Sequence, residues 1–420
     1  MSPKLANVLD RVRSNTLLRN LSAYCASEAA AKASRLLAVI ALARVLTPAQ
    51  VGIVAGALAI SELFKALAEN GTVQKIIAAP ADELDAVCHA ARRINAVWSV
   101  GLFALQVLVA FAIYKSTGQI EGPLLIALMA GEYLFMPFGL VQCGLAMREG
   151  KLGGTAAVAG AQNVLANALT ALVIFIWPNP AAVALARLAT TPVWLVGMRR
   201  LRPWKPQQGV AHAPVTSFVR FGSSVLGVEF LKVLRMQADK LIVGGLMGPE
   251  ALGIYFFAFN AGYGIANSFS VAFSIVLFPH LCNSDDRAAT LRKSVGMALL
   301  VLFPAVCLQA FAAQYYVPLI FGAKWASVAP LVSILCFAAL PAVIWSAAAQ
   351  WHRSVGRPEM DLVCSAFIAA FITCGILVAY PFGLTAVVWS VLATSVVSQV
   401  LAAAVSVGAA FVPTQKQAGR

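Results

Sequence analysis

The 420-residue chain has little charge and little that chemistry could use. Only 11% of its residues are Asp, Glu, Lys or Arg, against about 25% in soluble domains. It has four histidines, His89, His212, His280 and His352, and none has a metal ligand at i+3 or i+4. Its eight cysteines include no C-x-x-C pair, so they read as reduced packing residues and not as zinc ligands or a disulfide framework. A G-x-x-x-x-G-K-S/T loop is missing, which excludes nucleotide hydrolysis by this chain. No catalytic residue, no metal ligand and no cofactor is assigned.

What fills the chain instead is apolar sequence: 60% of residues are hydrophobic and the mean hydropathy is +0.82. Stretches long enough to span a bilayer fall at 22–46, 51–70, 94–114, 122–147, 153–177, 180–198, 217–247, 251–281, 294–312, 327–351, 359–380 and 383–411. The expected fold is an all-α polytopic membrane protein of about twelve transmembrane helices. Residues 1–21 form an amino-terminal segment, 22–198 a six-helix lobe, 199–216 a linker, 217–411 a second six-helix lobe and 412–420 a tail. Residues 1–20 are polar and basic with no A-x-A-like site following, so no cleavable leader is expected. No stretch between spans exceeds about 25 residues, short for a catalytic loop and its scaffold. The segment 81–93, with Leu84, Val87, Cys88 and Ala91 at helical spacing, reads as an amphipathic surface helix.

The basic residues cluster on alternate loops. Lys4, Arg11, Arg13 and Arg19 precede the first span. Arg92 and Arg93, Arg148 and Lys151, Arg199 to Lys205, Arg287 to Lys293, and Arg353 and Arg357 follow every second one; the opposite side has only Lys115 and Lys324. Both termini are therefore expected in the cytoplasm. The same clustering accounts for the net charge of +14: the charge sits on short loops that suit anionic lipid headgroups, with no basic domain for a nucleic acid.

The chain repeats itself. Pro249 minus Pro48, Gly253 minus Gly52 and Glu229 minus Glu28 are each 201, while Lys232 minus Lys32 and Arg235 minus Arg35 are 200. Pro341 minus Pro137, both inside spans, is 204, and each is followed by a basic, glycine-containing turn, Arg148 to Lys151 and Arg353 to Arg357. Two repeats of six helices enter the membrane from the same side, so they are parallel repeats about an axis along the membrane normal. The prolines at 137, 192, 304 and 341 are candidate kinks.

The repeat takes charge into the membrane. Glu229, Lys232, Arg235 and Asp239 follow one another at spacings of 3, 3 and 4, which places them on one helical face. Each costs about 2.5–3.5 kcal/mol at mid-span on insertion scales. Counting Lys32, Arg35, Arg44, Lys65, Arg187, Lys232, Arg235 and Lys240 against Glu28, Glu62, Glu69, Glu132, Glu229 and Asp239, the spans hold eight cations and six anions. One account is internal pairing, with Glu28–Lys32 and Arg235–Asp239 at i, i+4. The other is a hydrated substrate path, with Lys32, Arg35, Lys232 and Arg235 as anion ligands and Glu28, Glu229 and Asp239 as their counter-charges or as carriers of H+ or Na+.

The stretches L-A-R-V-L-T-P-A-Q-V-G-I-V-A (42–55), E-N-G-T-V-Q-K-I-I (69–77) and A-D-K-L-I-V-G-G-L-M-G-P-E-A-L-G-I-Y (238–255) resemble the oligosaccharide flippase, or polysaccharide transporter, family of the multidrug/oligosaccharidyl-lipid/polysaccharide exporter superfamily. The resemblance implies two six-helix lobes in a V, with the first and seventh helices lining a central cationic cavity. It implies translocation of a polyprenyl-pyrophosphate-linked oligosaccharide across a bacterial inner membrane for O-antigen, capsule or exopolysaccharide synthesis. Its partners would be that lipid-linked oligosaccharide, membrane lipids, and a polysaccharide polymerase with its export machinery. Glu69-Asn70-Gly71 departs from the commoner Asp-Leu-Gly-like turn. The rivals are a drug/cation antiporter or a lipid-linked peptidoglycan precursor flippase of the same superfamily, and, from other classes, a membrane-embedded polymerase or a non-transporting scaffold. An antiporter of cations calls for acidic cavity walls, which the Lys/Arg stripe opposes.

Overall fold

The computed structural model describes residues 16–206 and 213–411, and among them there are helices and no strands. The first repeat contains α1 Thr16–Val45, α2 Pro48–Ala68, the short α3 Thr72–Ala78, α4 Leu84–Thr117, α5 Glu121–Ala130, α6 Pro137–Arg148, α7 Leu152–Ile176 and α8 Ala181–Leu201. The second contains α9 Val215–Phe259, α10 Ile265–Cys282, α11 Arg287–Tyr316, α12 Ala329–Cys336, α13 Ala339–Ser354, α14 Pro358–Ala379 and α15 Leu384–Phe411. Among the described residues nine helices are long and apolar enough to cross a membrane, ten if the pair Glu121–Leu134 and Pro137–Arg148, bent by 56°, is one span. The other two expected spans are present as helix with a reason to differ. One is α1, loaded with Arg19, Glu28, Lys32, Arg35 and Arg44. The other, expected at 251–281, is divided between the end of α9 and the short α10.

Prolines and glycines set the breaks. In each repeat the fourth helix is interrupted just before its proline: α5 ends in a 3-10 turn at Gly131–Leu134 ahead of Pro137, and α12 ends at Cys336 ahead of Pro341 in the first turn of α13. Pro192 and Pro304, by contrast, lie inside α8 and α11 without a break. The two basic turns are equivalent in detail. Gly150 (φ 75°) and Gly356 (φ 74°) occupy the left-handed region, and Lys151 N–H donates to Ala146 O (3.0 Å) as Arg357 N–H does to His352 O (2.8 Å). This is a Schellman closure, which satisfies carbonyls that a helix end leaves open. Between them, Glu149 accepts from Lys151 and also pairs with Arg202, and these cations hold its carboxyl below the ordinary range.

By packing, the chain divides into one unit of residues through Leu46 plus Ile53–Gln237, and a second of Thr47–Gly52 plus Ala238 onward. The division falls inside α9, whereas the sequence repeat puts the expected boundary at the linker 199–216. Phe218, near the start of α9, is buried in the first unit with Ile76, Val87, Cys88, Ala91, Val141 and Leu145. Leu84, Val87, Cys88 and Ala91 thus face inward as their spacing predicted, but the segment is no separate surface helix. It is the opening of α4, whose 34 residues extend about 51 Å, well beyond a hydrocarbon core of about 30 Å. His89 is buried there against Trp204, ring centroids 5.4 Å apart. Arg148 closes the same cluster by donating to the carbonyls of Ile76, Ile77 and Ala79 at the open end of α3.

The second unit contains the closest backbone approach. Thr47 and Gln50 form a reciprocal cap at the start of α2, Thr47 N–H to Gln50 Oε1 at 3.1 Å and Gln50 N–H to Thr47 Oγ1 at 3.3 Å, with Pro48 at the first helical position where its missing N–H costs nothing. Gly248 (φ 85°) makes the equivalent turn before Pro249. A Cβ on Gly52 would lie 1.6 Å from Pro249 O, and one on Gly253 1.8 Å from Pro48 O. Residues 201 apart are therefore each other's partners in this crossing. Gly52→Ala and Gly253→Ala should each cost at least as much as a typical overpacking, about 1–3 kcal/mol, and the double variant less than the sum because one separation of the two segments relieves both clashes. Thermal unfolding in detergent checks this; two silent alanines would show that the helices separate at no cost.

Elsewhere in that unit, a π turn at Asn260–Gly264 frees carbonyls that a membrane cannot hydrate. Gln309 Nε2 donates to Ala261 O and Gly262 O, both at 3.1 Å, and Tyr316 Oη to Ala261 O.

Candidate functional site

The charged residues of the first unit gather along α2. Glu62 and Lys65 stand three residues apart on that helix, and Glu69, four further on, lies just past its end, a spacing that continues the same face. Glu62 Oε1 receives Arg187 Nη2 from α8 at 3.3 Å, and Arg187 Nε donates to Glu132 Oε1 at 3.1 Å. Glu132 stands in the 3-10 turn where the fourth span bends, so the break positions a carboxylate for Arg187. The side chains of Arg187 and Glu132 are 19% and 17% exposed, and that of Glu62 36%. Arg35 of α1 and Lys65 lie within electrostatic reach of Glu62, and Lys65, Lys232 and Glu229 within reach of Glu69. Lys232 Nζ donates to Glu229 Oε2 at 3.2 Å. A mixed-charge strip thus runs from Arg35 through Glu62, Lys65 and Glu69 to Lys232 and Glu229.

The expected anion ligands all belong to this unit. Lys32, Arg35, Lys232 and Arg235 are exposed. Among the described residues no hydrogen bond or ion pair occupies Lys32, Arg35, Lys65 or Arg235. A cation with no partner cannot face lipid cheaply, so these four require water or an anion. Glu28 lies on α1, but its side chain is outside the described residues. The interactions of Arg35 run to Glu62 and Arg187, and those of Lys232 to Glu229 and Glu69. Helix α2, with Glu69 just past its end, connects the two groups, and placing α1 opposite α9 leaves this helix out. The 3-and-4 spacing of Glu62, Lys65 and Glu69 is the signal for it in the sequence.

Asp239 belongs to the second unit and differs from expectation. In place of Arg235, its carboxylate holds Lys240 Nζ at 3.0 and 3.2 Å and accepts from Tyr255 Oη at 2.9 Å. Lys240 also lies over the Phe259 ring, 4.4 Å from its centroid, a contact that strengthens when desolvated. With side-chain exposures of 8% and 15%, Lys240 and Asp239 form a closed structural pair. The second unit also has an apolar hollow of about 520 Å³ between α12, α13 and α15, lined by Phe337, Pro341, Trp389 and Val396 among others.

No group of three His, Cys, Asp or Glu fit for a metal occurs among the described residues. Broken apolar helices with charge gathered inside them define a polytopic all-α membrane protein. The chain belongs to the polysaccharide biosynthesis protein family, which matches residues 41–330. Lipopolysaccharide biosynthesis protein WzxC of Escherichia coli K12 is 25% identical over 193 residues, 44% of this chain and 37% of WzxC. The matches to curated relatives cover 37% to 64% of those proteins. In fold, the chain is similar to the lipid II flippase MurJ in an inward closed conformation (TM-score 0.75, 12% identity, 92% of this chain and 87% of MurJ). It is also similar to an inward-facing multidrug resistance MATE family transporter of the MOP superfamily (TM-score 0.66, 14% identity, 90% and 94%).

Proposed function

We propose that the protein translocates a polyprenyl-pyrophosphate-linked oligosaccharide from the inner to the outer leaflet of a bacterial inner membrane, by alternating access, with both termini in the cytoplasm. The observation that carries this reading is the set of four exposed cations, Lys32, Arg35, Lys65 and Arg235, that make no hydrogen bond or ion pair among the described residues of a fold similar to those of transporters. A pyrophosphate leaving water must exchange its hydration for donors of similar strength, and charge-assisted bonds from Lys and Arg are of that kind. Membership of a polysaccharide biosynthesis family supports a glycan as the rest of the substrate. An antiporter of organic cations would need the opposite wall charge, and a polymerase would need a catalytic domain between spans.

Deleting the gene should stop polysaccharide export and leave lipid-linked repeat units on the cytoplasmic leaflet, read by surface-glycan staining and by the accessibility of those units to an added glycosidase in inverted and right-side-out vesicles. Normal export in a deletion strain that lacks a paralogue would overturn the proposal.

A further inference from the structure

Glu62 is held differently from the other carboxylates of the strip. Its Oε1 atom rests on Arg187, which Glu132 fixes from the other side at 3.1 Å, and those two side chains are the less exposed members of the triad. Glu62 itself is 36% exposed, with Arg35 and Lys65 in electrostatic reach and neither of them occupied by an ion pair among the described residues. The carboxylate is therefore anchored through Oε1 on Arg187 and interacts electrostatically with two cations it does not bond. We infer that Glu62 is an internal competitor for the anion site: it supplies Arg35 and Lys65 with counter-charge when no substrate is present, and opposes a phosphate that binds them. Lys65, one turn from Glu62 on α2, is on this reading an anion ligand alongside Arg35.

The inference rests on the proposed anionic substrate and deepens it. Arg35 and Arg187 repel in an empty site, and a fixed carboxylate between charges of that sign offsets the cost. Because Arg187 and Glu132 keep Glu62 in place, it need not leave when the phosphate arrives. Its repulsion then keeps the bound state shallow. A transporter needs this, since an anion held by an uninterrupted cationic wall would not be released. A unit charge removed about 10 Å from the anion, with an effective dielectric of about 20, changes its affinity by about tenfold.

The test uses the full chain in detergent, with farnesyl pyrophosphate as probe, inorganic pyrophosphate as competitor, and affinity read by titration calorimetry. Glu62→Gln should bind the probe about tenfold more tightly and support less export, because release becomes slower. Lys65→Gln should bind about tenfold more weakly. Glu132→Gln, which leaves the Glu62 charge in place, should not tighten binding. Displacement of the probe by inorganic pyrophosphate shows that the charge and not the prenyl chain is read. If Glu62→Gln binds as the unaltered protein does, or more weakly, while Arg35→Ala still abolishes binding, the competitor role is wrong and the anion site stands. If Glu62→Gln cannot be purified, an unchanged affinity in Lys65→Gln overturns the inference. If the unaltered chain binds neither probe, both the inference and the anion site fall.

Discussion

Arg187→Ala should lower the thermal stability of the purified protein by several degrees or prevent its accumulation. Among the described residues the guanidinium is what ties the carboxylates of Glu62 on α2 and Glu132 at the bend of the fourth span to α8. Removing it leaves two carboxylates in an apolar bundle with no partner on α8. Breaking a buried ion pair costs about 3–5 kcal/mol, and the lower end applies because Glu62 keeps a third of its side chain exposed. The triple variant Arg187→Met, Glu62→Gln, Glu132→Gln should recover most of the loss, since removing all the charges removes the uncompensated burial with them. Melting in detergent, followed by size-exclusion chromatography, separates the outcomes. If Arg187→Ala melts with the unaltered protein, the triad holds nothing together.

The sequence made the repeat legible, and the structure gives it physical content at particular residues. The 201-residue offset predicted equivalence of Pro48-Gly52 and Pro249-Gly253, and these pairs meet carbonyl to glycine. The 204-residue offset of Pro137 and Pro341 marks two helices broken at the same place, and the glycines that follow close the same turn. Such features are local, fixed by ring geometry and positive φ, so they can be read from a few residues. The triad was not legible for the opposite reason. Arg187 is 55 residues from Glu132 and 125 from Glu62, and periodicity says nothing about which helices become neighbours. The pairing of Asp239 failed on a related point. Spacing of i, i+4 favours Arg235, but the flexible four-carbon stem of Lys240 brings its ammonium to both oxygens from the adjacent position, and Tyr255 from α9 beyond the bend completes the set.

Arg35→Ala and Arg235→Ala should each abolish export while leaving the protein inserted and folded, in contrast to Arg187→Ala. Both side chains are exposed, and neither makes a hydrogen bond or ion pair among the described residues. Substitutions at such positions change stability by about 0.5 kcal/mol or less, so the fold has little reliance on either guanidinium. A substrate phosphate would rely on them heavily. Each charge-assisted hydrogen bond contributes about 1.5–3 kcal/mol, and a planar fork that grips two phosphate oxygens adds orientation to energy. Loss of one guanidinium then reduces transport by more than tenfold at constant protein level. Arg→Lys at either position keeps the charge but loses the second donor, so partial activity is expected. Complementation of a deletion strain, normalised to membrane protein by immunoblot, gives the measurement. Two alanine variants present at normal level that still restore polysaccharide would mean that the unpaired cations of α1 and α9 bind no substrate, and that their place in the membrane serves hydration or lipid headgroups instead.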